Sequence, residues 1–392
     1  MNPALLRFCI LLAAGFLGAA ATGKLVPHAR WLTETYDISL GLAGFTISAV
    51  MLPGAMLSVP LGVVTDRLGA RTVAIAGLVV GALASMALGL ASASFPFLIA
   101  LRLVEGFGYC LLAVGATVLV VDTATPSYRT LALSVWSSFA PIGFALGQWA
   151  AASATGPERL SAIGIGHGLL MLFVAQLAFL VLPAPPPHDR TRPQASMLEA
   201  VRHPPALFAS LAFGCVTGIL LAAVAVAPLV LARLQGMPVA DAAGLTALAA
   251  LPGIAGRFGA GWLLGRRLTP AAVLLTSGIS GAIAIAVVLV ADLPLLPALG
   301  VFTLFQILMG VIPGVLSAMI PHVAPARDRI GAVSGLVNQM VTLGNLLGPP
   351  LVLAIYASTD AAGAAIMLAA WTMLCVALVA HLAVFRKPVA SG

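Results

Sequence analysis

The chain has 392 residues, of which 61% are hydrophobic and 8% are charged, and its formal net charge is +7. A soluble domain has about 45–50% apolar and about 25% charged residues, which excludes a soluble globular protein, and the high hydrophobicity excludes a disordered one. The apolar residues form long continuous runs, which predict membrane-spanning helices and not the short alternating strands of an outer-membrane barrel.

Twelve apolar stretches follow one another along the chain, separated by proline, glycine and charged residues. Each is long enough for a helix that crosses about 30 Å of hydrocarbon. We therefore expect an all-α membrane protein with twelve transmembrane helices in two pseudo-symmetric six-helix bundles. The predicted spans are 5–27, 39–61, 72–91, 96–121, 131–153, 163–182, 206–231, 242–264, 271–291, 295–320, 330–356 and 362–385.

A hydrophilic stretch at 183–205 divides the spans into six and six. We expect an N-terminal bundle at 1–182, a cytoplasmic linker at 183–205 and a C-terminal bundle at 206–392. The first span resembles a cleavable signal peptide, but an internal repeat requires it as the partner of the seventh and favours a retained helix.

The repeat is visible in pairs of motifs. Pro53-Gly54 recurs as Pro252-Gly253, and the Gly143-x-x-x-Gly147 pattern recurs at Gly344 and Gly348. Repeated halves are typical of secondary transporters, which bind solute near the membrane midplane between them.

Basic residues predict the orientation. With the N-terminus inside, thirteen Lys and Arg residues fall on the inner side and three, Arg30, Arg159 and Arg233, on the outer side. Because cytoplasmic loops carry the excess of Lys and Arg, both termini are expected in the cytoplasm.

Four charged residues remain at hydrocarbon depth: Lys24, Arg102, Glu105 and Arg257. A charge there costs about 2.5–3.5 kcal/mol on insertion scales, and such residues mark functional sites by default. Arg102 and Glu105 share one face of span 4, which Tyr109 continues. We predict that Lys24, Arg102 and Glu105 form one polar cluster whose summed charge of +1 favours an anionic or zwitterionic solute. A structural ion pair with a snorkelling lysine is the alternative.

Glu105 is the carboxylate expected deepest in the membrane, and with Arg102 it is the candidate for proton coupling. Arg257 lies nearer the cytoplasmic side and is predicted to act in an inner gate. Span 11 carries a polar stripe that includes Asn338 and Asn345; these side chains line a solute cavity or form hydrogen bonds between helices. His167 stands alone in span 6 and is interpreted as a contact between helices.

Two motifs carry a family resemblance. The loop from Gly62 to Arg71, with Asp66-Arg67 and Gly69, resembles the signature loop of the major facilitator superfamily, except that Ala70 replaces a basic residue. Arg102-x-x-x-Gly106 is similar to that family's span 4 motif, and the loop from Gly261 to Arg267 is similar to a weaker second copy of the signature loop, with Gly265 in place of the aspartate.

The resemblance implies the major facilitator fold, in which two bundles rock about a central site lined by spans 1, 4, 7 and 10. It implies that Asp66, Arg67 and Arg71 stabilise one conformation through cytoplasmic contacts and do not bind solute. A simple glycine turn with charges that set the topology is the alternative. With Arg257 added from its position near the cytoplasmic side, the predicted conformational gate comprises Gly62, Asp66, Arg67, Gly69, Arg71 and Arg257.

We therefore expect a secondary active transporter of a small organic solute that works by alternating access and couples to protons. The span 4 motif gives a slight lean to export of a metabolite, siderophore or drug. The Gly-Pro motif found in span 5 of proton antiporters is not matched by Pro141-Ile142-Gly143. Proton symport of an organic anion is the close alternative, and transport without protons stays open.

The other expectations follow from the same residues. No catalytic constellation, metal-ligand spacing or nucleotide-binding loop is visible, so we expect no enzyme activity, no metal and no cofactor. The expected partners are the solute, protons and the lipid bilayer, without nucleic acid. A monomer in the inner membrane of a bacterium is expected.

Overall fold

A computed structural model describes residues 3–88, 94–151, 157–183, 197–266 and 268–384 of the chain. The described residues form helices and connecting turns and contain no strand, which confirms the all-α prediction. Most of the predicted linker, residues 184–196, lies outside the described residues, and so does Arg267 of the second loop copy.

The helices before the linker are fragmented in two of the predicted spans. A turn of 3-10 helix at Ala49–Met51 separates α3 from α4, and α7 ends before α8 begins at Phe139. The bounds are α1 (Pro3–Gly23), α2 (Ala29–Tyr36), α3 (Leu40–Ser48), α4 (Leu52–Leu68), α5 (Ala70–Ala87), α6 (Phe95–Thr123), α7 (Arg129–Trp136), α8 (Phe139–Ala151) and α9 (Pro157–Val181).

The helices after the linker show the same kind of break in the second predicted span of the C-terminal half. α12 ends at Ala250 and α13 begins at Gly253, because Pro252 has no N–H to continue the helical ladder. The bounds are α10 (Met197–Arg202), α11 (Pro204–Gln235), α12 (Val239–Ala250), α13 (Gly253–Gly265), α14 (Pro270–Val290), α15 (Leu295–Val323) and α16 (Ile330–Val384).

Eleven segments of the described chain are long and apolar enough to cross a membrane. The last, Arg327–His381, overlaps most of α16 and has 55 residues, and a straight helix of that length would measure about 80 Å. Two helices meet inside α16 at Asp360, whose φ of 66° and ψ of −165° are not helical. The chain is therefore a multi-pass membrane protein, while the count of twelve and the cytoplasmic termini stay predictions.

The chain forms two compact units. In unit 1, α5 packs against α6 and α9, and α1 packs against α6, α8 and α9. In unit 2, α15 packs against α11, α13 and α14. Unit 1 comprises Met1–Ala132, Ser138–Ala200 and Pro325–Gln339, and unit 2 comprises Leu133–Ser137, Val201–Ala324 and Met340–Gly392.

The repeated glycines bring one helix pair of each unit close together. In unit 1, a methyl group added to Gly147 would overlap the backbone of Ala20, so α8 lies directly against α1. In unit 2, a methyl group added to Gly348 would overlap the backbone of Gly218, so α16 lies directly against α11. Small residues at such positions allow the van der Waals contact that holds helices together in lipid.

Candidate functional site

The predicted charged residues of unit 1 lie where α6 meets the end of α1. Ser94 caps the N-terminus of α6 by accepting from the backbone N–H of Phe97, and the helix then runs unbroken past Arg102 and Glu105. Residues three apart lie on one face of a helix, so Arg102 and Glu105 share a face of α6. Lys24 follows the last residue of α1, and its backbone N–H still donates to the carbonyl of Ala20 at 3.1 Å.

The structure brings Lys24, Arg102 and Glu105 into direct contact, and we call these three residues the charge cluster. Lys24 Nζ binds Glu105 Oε1, and Arg102 Nη1 binds Glu105 Oε2, so each carboxylate oxygen accepts from a different cation. The side chains are 2%, 0% and 1% exposed in chain order. The cluster is thus removed from solvent within unit 1 and carries one more positive than negative charge.

Arg102 has a further partner outside the cluster. Its Nη2 donates to the carbonyl of Ile47 at 3.1 Å, at the end of α3, where the second predicted span changes from α-helix to 3-10 helix. Its Nε is buried and has no hydrogen-bond partner among the described residues. The guanidinium is therefore held in place by its two terminal nitrogens, while its Nε–H is unused.

Two residues that the sequence analysis did not assign to the cluster border it. Lys24 Nζ donates to Ser85 Oγ of α5 at 2.7 Å and lies 3.3 Å from His167 Nδ1 of α9. Ser85 Oγ lies 3.0 Å from the same ring nitrogen and 3.0 Å from the carbonyl of Gly164. His167 does bridge helices, as expected, because its Nε2 lies 2.8 Å from the carbonyl of Leu17 on α1, but its other nitrogen faces Lys24.

Burial of this cluster sets a strong energetic constraint. Taking charges out of water costs several kcal/mol per ion, and removing one partner of a buried pair costs about 3–5 kcal/mol because a charge is left uncompensated. A protein in which apolar side chains of similar volume replace a buried ion pair is often at least as stable as the original. The cluster is therefore poorly explained by stability alone, and buried charges in membrane helices mark solute and ion pathways.

The other predicted solute-binding residues have different neighbours. Tyr109, one turn beyond Glu105, packs its ring against Phe139 of α8 with the ring centroids 6.4 Å apart. Asn338 Nδ2 donates to Ser58 Oγ at 2.8 Å, and that hydroxyl also lies 3.1 Å from Cys110 Sγ. Asn345 belongs to unit 2 and is half-buried.

The signature loop is joined to the beginning of α16 within unit 1. Asp66 Oδ1 accepts from the backbone N–H of Gly331 at 2.7 Å, and Oδ2 accepts from that of Ala332 at 2.8 Å. A carboxylate at a helix N-terminus satisfies free N–H groups and interacts favourably with the helix dipole. Gly62 permits the approach, because a methyl group there would overlap the backbone of Gly331 and Ala332.

The remaining residues predicted for the gate have different surroundings. Gly69 ends α4 with a φ of 87°, which favours glycine. Arg71 donates from Nη2 to the carbonyl of Phe179 and places its guanidinium 5.1 Å from the centre of that ring. Arg67 is exposed. Arg257, in unit 2, is half-buried and donates from Nη1 to the carbonyl of Ser137 at 2.6 Å.

Comparisons with known proteins agree with this architecture. The sequence profile described as Major Facilitator Superfamily matches residues 8–349. No curated protein matches the sequence. The solved structure of the human organic anion transporter MFSD10 (TETRAN) superposes with a TM-score of 0.79 and 17% identity, covering 97% of this chain and 100% of that one.

A second similar structure is the transporter FucP in the outward conformation, with a TM-score of 0.75 and 18% identity over 97% of this chain and 99% of that one. A further structure, of the E. coli fucose:proton symporter FucP (N162A), has a TM-score of 0.75 and 19% identity over the same shares. At these identities the likeness is one of fold.

Proposed function

We propose that this chain, which belongs to the major facilitator superfamily of transporters, moves a small anionic or zwitterionic organic solute across the membrane and couples that movement to protons. One observation carries the proposal: the buried charge cluster of unit 1 holds two cations and a single carboxylate. The solute class follows from the charge of this cluster and not from the substrates named for similar folds.

The excess positive charge supports an anionic group as the ligand. In a low-dielectric interior, like charges repel strongly, which disfavours a cationic solute placed beside Lys24 and Arg102. A carboxylate of the solute would satisfy the unused donor of Arg102 or take over the ammonium of Lys24. Binding of an anion would also neutralise the net charge of the cluster.

Proton coupling is assigned to Glu105, with Arg102 as its fixed counter-ion. Opposite charges within hydrogen-bond distance stabilise the ionised form of a carboxylate. Glu105 therefore binds a proton more readily once Lys24 is drawn away by an anion. Anion and proton then bind together, which favours symport of an organic anion over the export toward which the sequence analysis leaned.

Asp66 and its loop are proposed to act as the conformational gate. The carboxylate holds the N-terminus of α16 through two backbone hydrogen bonds, and release of those bonds would free that helix end. Gly62, Arg67, Gly69 and Arg71 support the loop. Cytoplasmic termini and the inner membrane of a bacterium remain part of this proposal, on the distribution of basic residues.

Proton movement in proteoliposomes tests the proposal. Purified protein is reconstituted with a pH-sensitive dye inside, and anionic, zwitterionic and cationic solutes are added outside. The variants are Glu105→Gln, Glu105→Asp, which keeps the charge, and Glu34→Gln as a matched control, since Glu34 is exposed and pairs with its helix neighbour Arg30. We expect an anionic or zwitterionic solute to acidify the interior with wild type, Glu105→Asp and the control, but not with Glu105→Gln.

The sign of the pH change inside the proteoliposomes and the class of solute that causes it decide between the alternatives. Alkalinisation of the interior by an added solute would support proton antiport and therefore export. A response to cationic solutes alone would contradict the assignment of the charge cluster as a binding site. Coupling in Glu105→Gln equal to that of wild type would remove Glu105 from the mechanism.

A further inference from the structure

Lys24 fills a position between three acceptors. Its ammonium group has three N–H donors, and Glu105 Oε1, Ser85 Oγ and His167 Nδ1 surround it. These acceptors come from three different helices: α6, α5 and α9. The ammonium is thus fully used, and each acceptor loses a donor if Lys24 turns away.

The hydrogen bonds of His167 assign its tautomer. Nε2 lies 2.8 Å from the carbonyl of Leu17, and since a carbonyl only accepts, Nε2 carries the hydrogen. A neutral ring then presents a lone pair at Nδ1, toward Lys24 and Ser85. Nδ1 also lies 3.9 Å from Glu105 Oε1, so the carboxylate is the next acceptor once the ammonium has left.

Among the described residues, few titratable or polar groups face His167 Nδ1. Lys24 lies at the end of α1, Ser85 is on α5, and Glu105 is on α6 with Arg102 bound to its far oxygen. Arg102 keeps its position through the carbonyl of Ile47. Lys24 is therefore the cation of the cluster that can leave, and His167 and Glu105 are the groups that can take a proton in its place.

We propose that a proton replaces the Lys24 ammonium at His167 when Lys24 turns to an anionic solute, which makes His167 the proton donor to Glu105. This rests on the proposed function. A proton adds to the lone pair at Nδ1 and gives an imidazolium. This imidazolium persists while the protein holds no solute. During transport its Nδ1–H bond breaks as the hydrogen bonds to Glu105 Oε1, and its electron pair returns to Nδ1. The ring is again neutral with Nε2–H, and Glu105 is a neutral carboxylic acid.

This exchange couples the two fluxes without a direct contact between solute and proton. A monoanion and one proton enter together, so the charge of the buried site is unchanged. Unpaired acceptors in a low-dielectric interior are costly, which disfavours entry of the anion alone. Entry of the proton alone is disfavoured because it would add charge to a cluster that is already positive.

Nitrogen NMR of isotope-labelled histidine rings in lipid nanodiscs tests this inference without any solute. The chain has six histidines, and the signals of His167 are identified by their loss in His167→Gln. In wild type at neutral pH we expect the neutral Nε2–H tautomer. In Lys24→Met we expect the His167 signals to shift to the imidazolium pattern, while those of His381, in unit 2, stay unchanged.

A wild-type ring with its hydrogen on Nδ1 overturns the proposal, as does an unshifted neutral ring in Lys24→Met. If Lys24→Met does not fold, Lys24→Gln is measured in the same way.

Transport by His167→Gln supplies an independent test. Labelled solute should exchange while proton movement is lost, and His381→Gln should behave as wild type. Proton movement that survives in His167→Gln excludes the donor role. Absence of any transport by wild type would contradict the proposed function but leave the NMR result interpretable.

Discussion

Helices α6 and α15 occupy corresponding places in the two units and differ most at the charged positions. α6 runs from Phe95 to Thr123 and α15 from Leu295 to Val323, so equivalent residues are 200 positions apart. Arg102 and Glu105 then correspond to Phe302 and Phe305. Both phenylalanines are buried, and their rings stack with centroids 6.0 Å apart.

The third charge has an apolar equivalent as well. Ala20 faces Gly147 in unit 1 and Gly218 faces Gly348 in unit 2, so Ala20 and Gly218 are equivalent. Lys24 follows Ala20 by four residues, and Ala222 follows Gly218 by four residues, which makes Ala222 the equivalent of Lys24. Ala222 is fully buried. The same helical framework is therefore built in unit 2 from apolar side chains at all three positions, and the difference teaches that the charges of unit 1 are not needed to form a bundle.

The largest effect is expected from removing the carboxylate. Glu105→Gln leaves Lys24 and Arg102 without a counter-charge and should destabilise the protein by about 3–5 kcal/mol. The matched change in unit 2, Phe305→Leu, nearly conserves volume and should cost about 1 kcal/mol. Thermal unfolding in detergent measures both, and equal shifts in melting temperature would contradict the distinction between the two units.

A smaller and symmetric effect is expected where the units are alike. Gly147→Ala and Gly348→Ala each push a methyl group into the facing helix backbone and should destabilise by about 1–3 kcal/mol. Gly166→Ala is the control, because a methyl group there meets nothing within 4 Å. A large effect in one unit only would show that the repeat differs in its packing as well as in its charges.

The smallest effect compares the two loop copies. Asp66→Asn replaces a carboxylate that accepts two backbone hydrogen bonds, and it should weaken the N-terminus of α16 by about 0.5–2 kcal/mol. Hydrogen exchange at the amides of Gly331 and Ala332 should become faster. At the equivalent position in the second copy, Gly265→Ala meets no neighbour and should leave that exchange unchanged. Unaltered exchange in Asp66→Asn would contradict the capping role.

The sequence predicted the parts of this account that depend on helical spacing and depth. Arg102 and Glu105 are three apart on one helix, and the length of the first span places Lys24 at a comparable depth. His167 and Ser85 join them from α9 and α5, and no spacing relates those helices to Glu105. The partner of Asp66 was equally hidden, because it is backbone N–H at the beginning of α16 and has no residue-type signal.

The helix breaks were partly visible. Pro252-Gly253 marks the break between α12 and α13, since proline interrupts the ladder. The break at Asp360 was predicted as well, although neither glycine nor proline marks it. It falls in the short interval between the eleventh and twelfth predicted spans, where the structure has a residue with non-helical backbone angles.

The central claim is that the charge cluster serves transport and not stability, and replacing it by its unit 2 equivalents tests this most directly. The triple variant Lys24→Ala, Arg102→Phe, Glu105→Phe copies Ala222, Phe302 and Phe305 into unit 1 and exchanges side chains of similar total volume. Melting temperature and proton movement in proteoliposomes are measured on one preparation. We predict a melting temperature equal to or above that of wild type, because apolar replacement of a buried ion cluster is often neutral or stabilising by about 1–4 kcal/mol, and complete loss of solute-driven proton movement. A variant that unfolds, or one that still couples solute to protons, would contradict the account.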